Sequence, residues 1–197
     1  MRKTPIAFLL GLLCLTAVYA QGSLGLKAPP DMTVFGIRLG ERLTLPECPK
    51  DASGYDLNIL SLCFQRYSAK TPNVEIQFPI RDMPDVMSDT RLAALIIDGN
   101  IEGVSFSTRG VRSQNADLQR FKEKYGQPTR LSPAQVRNRL GAKFDTFTAL
   151  WLFPELYVSL TSVSTTLDEG LVIIDTTKGH ERRSSLMRDA AKDRRPL

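Results

Sequence analysis

The chain of 197 residues has one histidine, His180, one tryptophan, Trp151, and three cysteines, Cys14, Cys48 and Cys63. The scarcity of histidine removes whole classes of chemistry. A Ser-His-Asp or Cys-His relay needs an oriented imidazole, and a zinc hydrolase needs several nitrogen or carboxylate ligands gathered at one point. His180 stands among Lys178, Glu181, Arg182 and Arg183, the setting of a solvated surface residue. No G-x-G-x-x-G, G-x-x-x-x-G-K-[ST] or G-x-S-x-G string occurs, so neither a phosphate-cradling loop nor a nucleophile elbow is indicated. Asp82, Asp85 and Asp89 form a spaced acidic run. Pro84 interrupts it, and the glycine and terminal glutamate of a calcium loop are missing, so a solvated connection is expected. The sequence therefore assigns no catalytic residue, no metal ligand and no cofactor.

Long apolar runs are also lacking. The most apolar stretch, Ile6 to Thr16, is broken by Gly11, follows the positive pair Arg2 and Lys3, and precedes the small residue Ala20. That order is the pattern of a secretory signal peptide over residues 1–20. The stretch is too short for a bilayer core of about 30 Å, which takes roughly 20 apolar residues. The expectation is an exported, soluble chain, periplasmic or secreted, cleaved near Ala20. Cys14 would leave with the leader, and Leu13 before it argues against acylation. Cys48 and Cys63 remain, and an even pair in an oxidising compartment reads as a disulfide. Its spacing is far from C-x-x-C and no histidine lies nearby, which disfavours a redox or metal pair.

Charge is unevenly spread. The chain has 26 basic and 21 acidic residues, but residues 178–197 hold Lys178, Arg182, Arg183, Arg188, Lys192, Arg194 and Arg195 against only Glu181, Asp189 and Asp193. The basic isoelectric point thus describes the tail and not a basic face of the folded body. The tail, residues 180–197, offers little apolar area beyond Leu186, Met187, Ala190 and Ala191. It is expected to be disordered or weakly helical, with no more than weak contact to an anionic membrane. Export and this charge distribution disfavour nucleic-acid binding.

Residues 21–31, rich in Gly and Pro, read as a flexible lead-in, and residues 32–179 as one domain. Within it VFGIRLG is a short strand. Thr44-Leu45-Pro46-Glu47 has the form of a helix capping box, limited by Pro49 to about one turn. The second half of Tyr55–Tyr67 reads as a strand that the disulfide ties to the turn after the first. NVEIQFP alternates Val74, Ile76 and Phe78 with Glu75 and Gln77, a half-buried strand. Residues 81–90 read as a polar connection. LAALIID and IEGVSFS flank the turn Asp98-Gly99-Asn100 as a hairpin. The period then changes: Leu118, Phe121 and Tyr125 share one helical face, which ends at Gly126 with Pro128 beyond. Ser132-Pro133-Ala134-Gln135 is a second capping box, predicting a short helix before Gly141. FTALWLF, ELYVSLTSVS and GLVIIDTT read as a closing meander, with Phe147, Ala149, Trp151 and Phe153 on the face under the helix. The fold class expected is α+β: an antiparallel sheet, hairpin plus C-terminal meander, with one principal helix packed on one face.

The strings VFGIRLGE, DGNIEGVSF and LQRFKEKYGQP, followed by the ALW strand and GLVIIDTTKG, resemble a pattern in exported proteins of Gram-negative bacteria. The arrangement is also similar to the small envelope domains of the SmpA/OmlA outer-membrane-assembly lipoproteins and to β-lactamase-inhibitor-like domains. The resemblance spans residues 32–179 and rests on a helix stop and turns, so it carries over no site residues. The chain departs from the lipoproteins in having no acylation cysteine at the cleavage point. Export, the disulfide and the missing catalytic set together imply a non-enzymatic domain that binds another protein in the cell envelope, for assembly or inhibition, through a strand edge or the polar meander face. Two other readings stand beside it. One is a carboxylate-dependent cell-wall hydrolase, with a facing pair drawn from Glu75, Glu102, Asp145 and Glu155. The other is a small-ligand carrier, which would need an apolar cavity between helix and sheet.

Overall fold

The computed structural model describes residues 31–50, 58–66 and 72–193. The expected signal peptide, residues 1–20, and, apart from Asp31, the expected lead-in fall outside them. The first strands, β1 (Thr33–Val34) and β2 (Ile37–Arg38), form a small hairpin. The remaining strands are β3 (Cys63–Gln65), β4 (Asn73–Gln77), β5 (Arg91–Ile97), β6 (Asn100–Thr108), β7 (Arg130–Arg137), β8 (Lys143–Leu152), β9 (Leu156–Thr161) and β10 (Gly170–Thr176). They make one antiparallel sheet in the order β3-β4-β5-β6-β10-β9-β8-β7. Helix α1 (Gln114–Tyr125) follows β6, and α2 (Thr177–Asp193) follows β10 directly. The fold is α+β, as the periodicity implies.

Cross-strand pairs place Ile76, Leu92, Phe106, Val172, Leu160 and Ala149 in one row across the sheet, and Val74, Ala94, Val104, Ile174, Val158 and Trp151 in the next. All twelve are buried and belong to one continuous core. Because side chains alternate along a strand, these rows occupy a single face. Helix α1 covers its β8 end. Phe121 and Tyr125 lie 5.7 and 6.4 Å from the Trp151 ring, and the indole Nε1 donates to the Gly126 carbonyl at 2.8 Å. Gly126 takes the positive φ, 81°, that ends the helix where the sequence predicts. The β1–β2 hairpin covers the β6 side of the same face. The Asp98-Gly99 turn joins β5 and β6 as expected, with φ of 52° and 84°.

The Cys48–Cys63 disulfide is formed. It secures residues 46–48 along the outer side of β3, where Cys48 N–H donates to Phe64 O at 2.8 Å and Phe64 N–H to Pro46 O at 2.9 Å. That pairing overrides the helical turn predicted at Thr44–Glu47. The segment is extended because Glu47 bridges Phe64 and Arg42 bridges Asn100. The connection after β4 is also less polar than it reads, since Val86 and the fully buried Met87 drop from it into the core.

Two further expectations are corrected and one is narrowed. VFGIRLG, read as one short strand, is the β1–β2 hairpin with its turn at Phe35-Gly36. Residues 132–135 are strand and not helix, lying in the middle of β7 with Pro133 opposite Phe147. The proline tolerated in the first turn of a helix is equally tolerated on an edge strand, where it removes no ladder bond. Of the two states expected for the tail, disordered or weakly helical, its described part takes the helical one, within a helix of 17 residues, Thr177–Asp193. Its first turns lie on the face of the sheet opposite α1, so the sheet has a helix on each side. Beyond Leu186 that helix is exposed through Lys192.

Candidate functional site

The face opposite α1 is built from the alternate residues of the central strands: Ala93 on β5, Ser105 and Ser107 on β6, Leu171 and Ile173 on β10, Ser159 and Thr161 on β9, Thr148 and Leu150 on β8. Among the described residues only α2 crosses it, at the corner where β6, β10 and β9 meet. Three contacts fix that crossing. Arg183 Nε and Nη2 donate to Asp175 Oδ2 and Oδ1 at 2.8 and 2.9 Å. The His180 imidazole stacks on the Tyr157 ring at 4.0 Å. Gly179 lies so close to the strand that a Cβ there would sit 1.9 Å from Glu102 O. Gly103 is required for the same reason, since a Cβ would meet Asp175 Oδ1 at 1.9 Å.

Beside these contacts lies a polar cluster. Glu102, buried on β6, accepts from Thr176 Oγ1 at 2.6 Å, while Lys178 Nζ stands 3.9 Å from its other oxygen and 2.7 Å from Asp98 Oδ2. The hydrogen bond from Lys178 holds the Asp98 carboxyl below the usual aspartate value, and the same bond raises the lysine. Burial pushes the Tyr157 phenol up, and the nearby Asp175 carboxylate adds to that shift.

Next to the His180–Tyr157 stack is a groove of about 500 Å³ between the end of β8, the β8–β9 turn and the start of α2. Leu150, Leu152, Phe153 and Tyr157 give it an apolar floor and wall, and His180 and Arg130 stand on it as polar groups. Leu152 is 52% exposed there. His180 is thus half-buried against Tyr157 and is not the freely solvated residue expected from its charged neighbours. The open face continues from this groove toward a shallow depression at Glu75, Asp89 and Arg91.

The carboxylates considered for hydrolysis are dispersed. Glu75 on β4 and Asp145 on β8 are five strand spacings apart, roughly 24 Å at about 4.8 Å each, well beyond the roughly 5 to 9.5 Å of a glycosidase pair. Glu102 lies under α2, and Glu155 is in the β8–β9 turn beside a depression formed with Asp31, Arg38 and Glu41. The acidic run spreads along the β4–β5 connection, with Asp82 paired to Arg81 and Asp89 to Arg91. Among the described residues no group of three or more His, Cys, Asp or Glu side chains is placed to hold a metal ion, and no helix is long and apolar enough to cross a membrane. Trp151 is core, only 1% exposed.

Sequence reasoning missed the α2 anchor. Its signals were Asp175 at the end of an apolar strand, where a buried acid demands a cation, and Gly103 inside a strand, which marks a close approach. No protein-family model, curated protein or solved structure matches the chain significantly.

Proposed function

We propose that this chain is an exported, non-enzymatic domain that binds another protein of the cell envelope, and that the groove at Leu152 with the open face beside it is the docking surface. The observation carrying this reading is Leu152 itself. A large apolar side chain left half in water, in a groove floored by Leu150, Phe153 and Tyr157 and flanked by Arg130 and His180, has the make-up of an interface centre with a polar rim. The chemistry suits an extended segment with an apolar side chain for the groove and an acidic group for Arg130. The Cys48–Cys63 disulfide supports an oxidising compartment.

The test is site-specific photocrosslinking in intact cells, with the crosslinking residue at position 152 or, as control, at Leu140 on the exposed β7–β8 turn. A single envelope adduct from position 152, absent from position 140 and lost with Arg130→Glu, is the expected result. Adducts of equal pattern from both positions, or none from 152, would overturn the assignment.

A further inference from the structure

The turn of the β1–β2 hairpin consists of Phe35 and Gly36, both at positive φ, 52° and 81°. Two-residue turns of this kind take Asn, Asp or Gly at the first position, because a bulky side chain crowds its own backbone there. Asp98-Gly99 obeys the rule in this same chain. Phe35 breaks it, and its aromatic ring lies 5.2 Å from Phe106 and 6.1 Å, edge-on, from Phe78. Residues held in sparsely populated backbone regions persist where the surroundings over-determine them, and they gather at ligand clamps.

Phe35 helps line a pocket of about 150 Å³ between the hairpin, α1 and the sheet. Its other apolar walls are Val34, Val86, Phe106, Phe121, Tyr125 and Ile174. Among the described residues two charged side chains line it, and both are cations, Arg120 and Lys124, four residues apart and so on one face of α1. Arg120 Nη1 donates to Asp117 Oδ1 at 3.3 Å and Lys124 Nζ to Thr33 O at 2.6 Å. A guanidinium has five N–H donors and an ammonium three, so each keeps donors for a ligand. A pocket of this volume has room for a guest the size of benzene, about six carbons.

We propose that this pocket binds a small amphiphilic anion, a monocarboxylate with an alkyl tail of about six carbons, the tail lying against Phe35 and the carboxylate meeting Arg120 and Lys124. The site is on the face of the sheet away from the Leu152 groove, so it stands or falls independently of the proposed docking surface. The apolar walls select the tail and the two cations select the sign of the head group.

The experiment is an NMR titration of the oxidised chain, following the methyl groups of Val34, Val86 and Ile174. The probes are hexanoate, hexan-1-ol (the same tail without charge) and acetate (the charge without the tail). Hexanoate is expected to shift those methyls with at least tenfold higher affinity than hexan-1-ol, and acetate to leave them unmoved. Lys124→Met should weaken hexanoate to the level of hexan-1-ol while leaving hexan-1-ol unchanged. Val86→Phe, which fills the pocket, should abolish both, and should that variant not fold, the surface substitution Lys124→Met still decides the matter. Equal affinity for hexanoate and hexan-1-ol would overturn the anion, and shifts confined to residues outside the pocket would overturn the site.

Discussion

Asp175 and Arg183 form a two-pronged ion pair across the junction of β10 and α2, at 2.8 and 2.9 Å, with the aspartate side chain fully buried and the arginine 19% exposed. The pair turns a basic C-terminal segment into a docked helix. Removing the cation leaves an uncompensated buried carboxylate, so Arg183→Met should destabilise the fold by about 3 to 5 kcal/mol. Urea unfolding checks the size of the effect. The double variant Asp175→Asn, Arg183→Met should recover a large part of it, because the buried charge is then gone as well. Hydrogen exchange should show the loss first in the opening turns of α2.

The disulfide acts at the β3 edge of the sheet. Closing 15 residues of chain is worth roughly 3 kcal/mol in the chain-entropy model, and here it also holds residues 46–48 along β3. The variant Cys48→Ser, Cys63→Ser should lose stability of that order, read from its urea midpoint. The Phe64 amide, which donates to Pro46 O at 2.9 Å, should exchange faster than the amides of β10. Uniform acceleration across the sheet would show that the bond constrains only the unfolded chain.

Asp117 gives α1 a pH-dependent foothold. Its side chain is fully buried, and burial raises its pKa above the ordinary 3.8 despite the Ser113 hydroxyl at 2.6 Å and Arg120 at 3.3 Å. A carboxyl with a raised folded-state pKa favours folding where it is protonated. That contribution is complete below the unfolded value and is lost as pH rises through the folded one. Asp117→Asn mimics the protonated form throughout. Its stability relative to the native chain should therefore grow as pH rises from about 3 toward neutrality, measured by urea unfolding at each pH. A difference constant with pH would remove burial as the controlling effect.

What could be read from sequence was what local chemistry decides. Asp98-Gly99 makes its own turn, and Leu118, Phe121 and Tyr125 define the buried stripe of α1 within one helix. Segment 132–135 was misleading because its capping-box spelling is local while its conformation is decided by β8, reached only ten or more residues later. Thr44–Glu47 failed likewise, its partner Phe64 lying across the disulfide loop. For α2, composition described the exposed half, and the half that matters is fixed by Asp175 and Tyr157 on separate strands. The groove at Leu152 and the pocket beside Phe35 are products of packing between elements distant in sequence, and the reading of VFGIRLG as one strand hid the Phe35-Gly36 turn beside the second.

Pro133 shapes the outer side of the long, exposed edge strand β7. Phe147 directs its N–H and C=O toward Ser162, at 2.9 and 3.0 Å. Its cross-strand partner on the other side, Pro133, is therefore in a non-hydrogen-bonded pair, with its nitrogen and carbonyl facing outward from the sheet. An incoming strand meets a nitrogen without a hydrogen at the middle of the edge, a common device against edge-to-edge association. Pro133→Val restores that donor and adds β-propensity, while leaving every bond between β7 and β8 in place. The variant should keep the native fold by circular dichroism and self-associate as concentration rises, which sedimentation velocity would detect. If it stays as dispersed as the native chain, Leu131 and the charged side chains of Arg130 and Arg137 suffice to guard the edge, and the proline is not the element that prevents pairing.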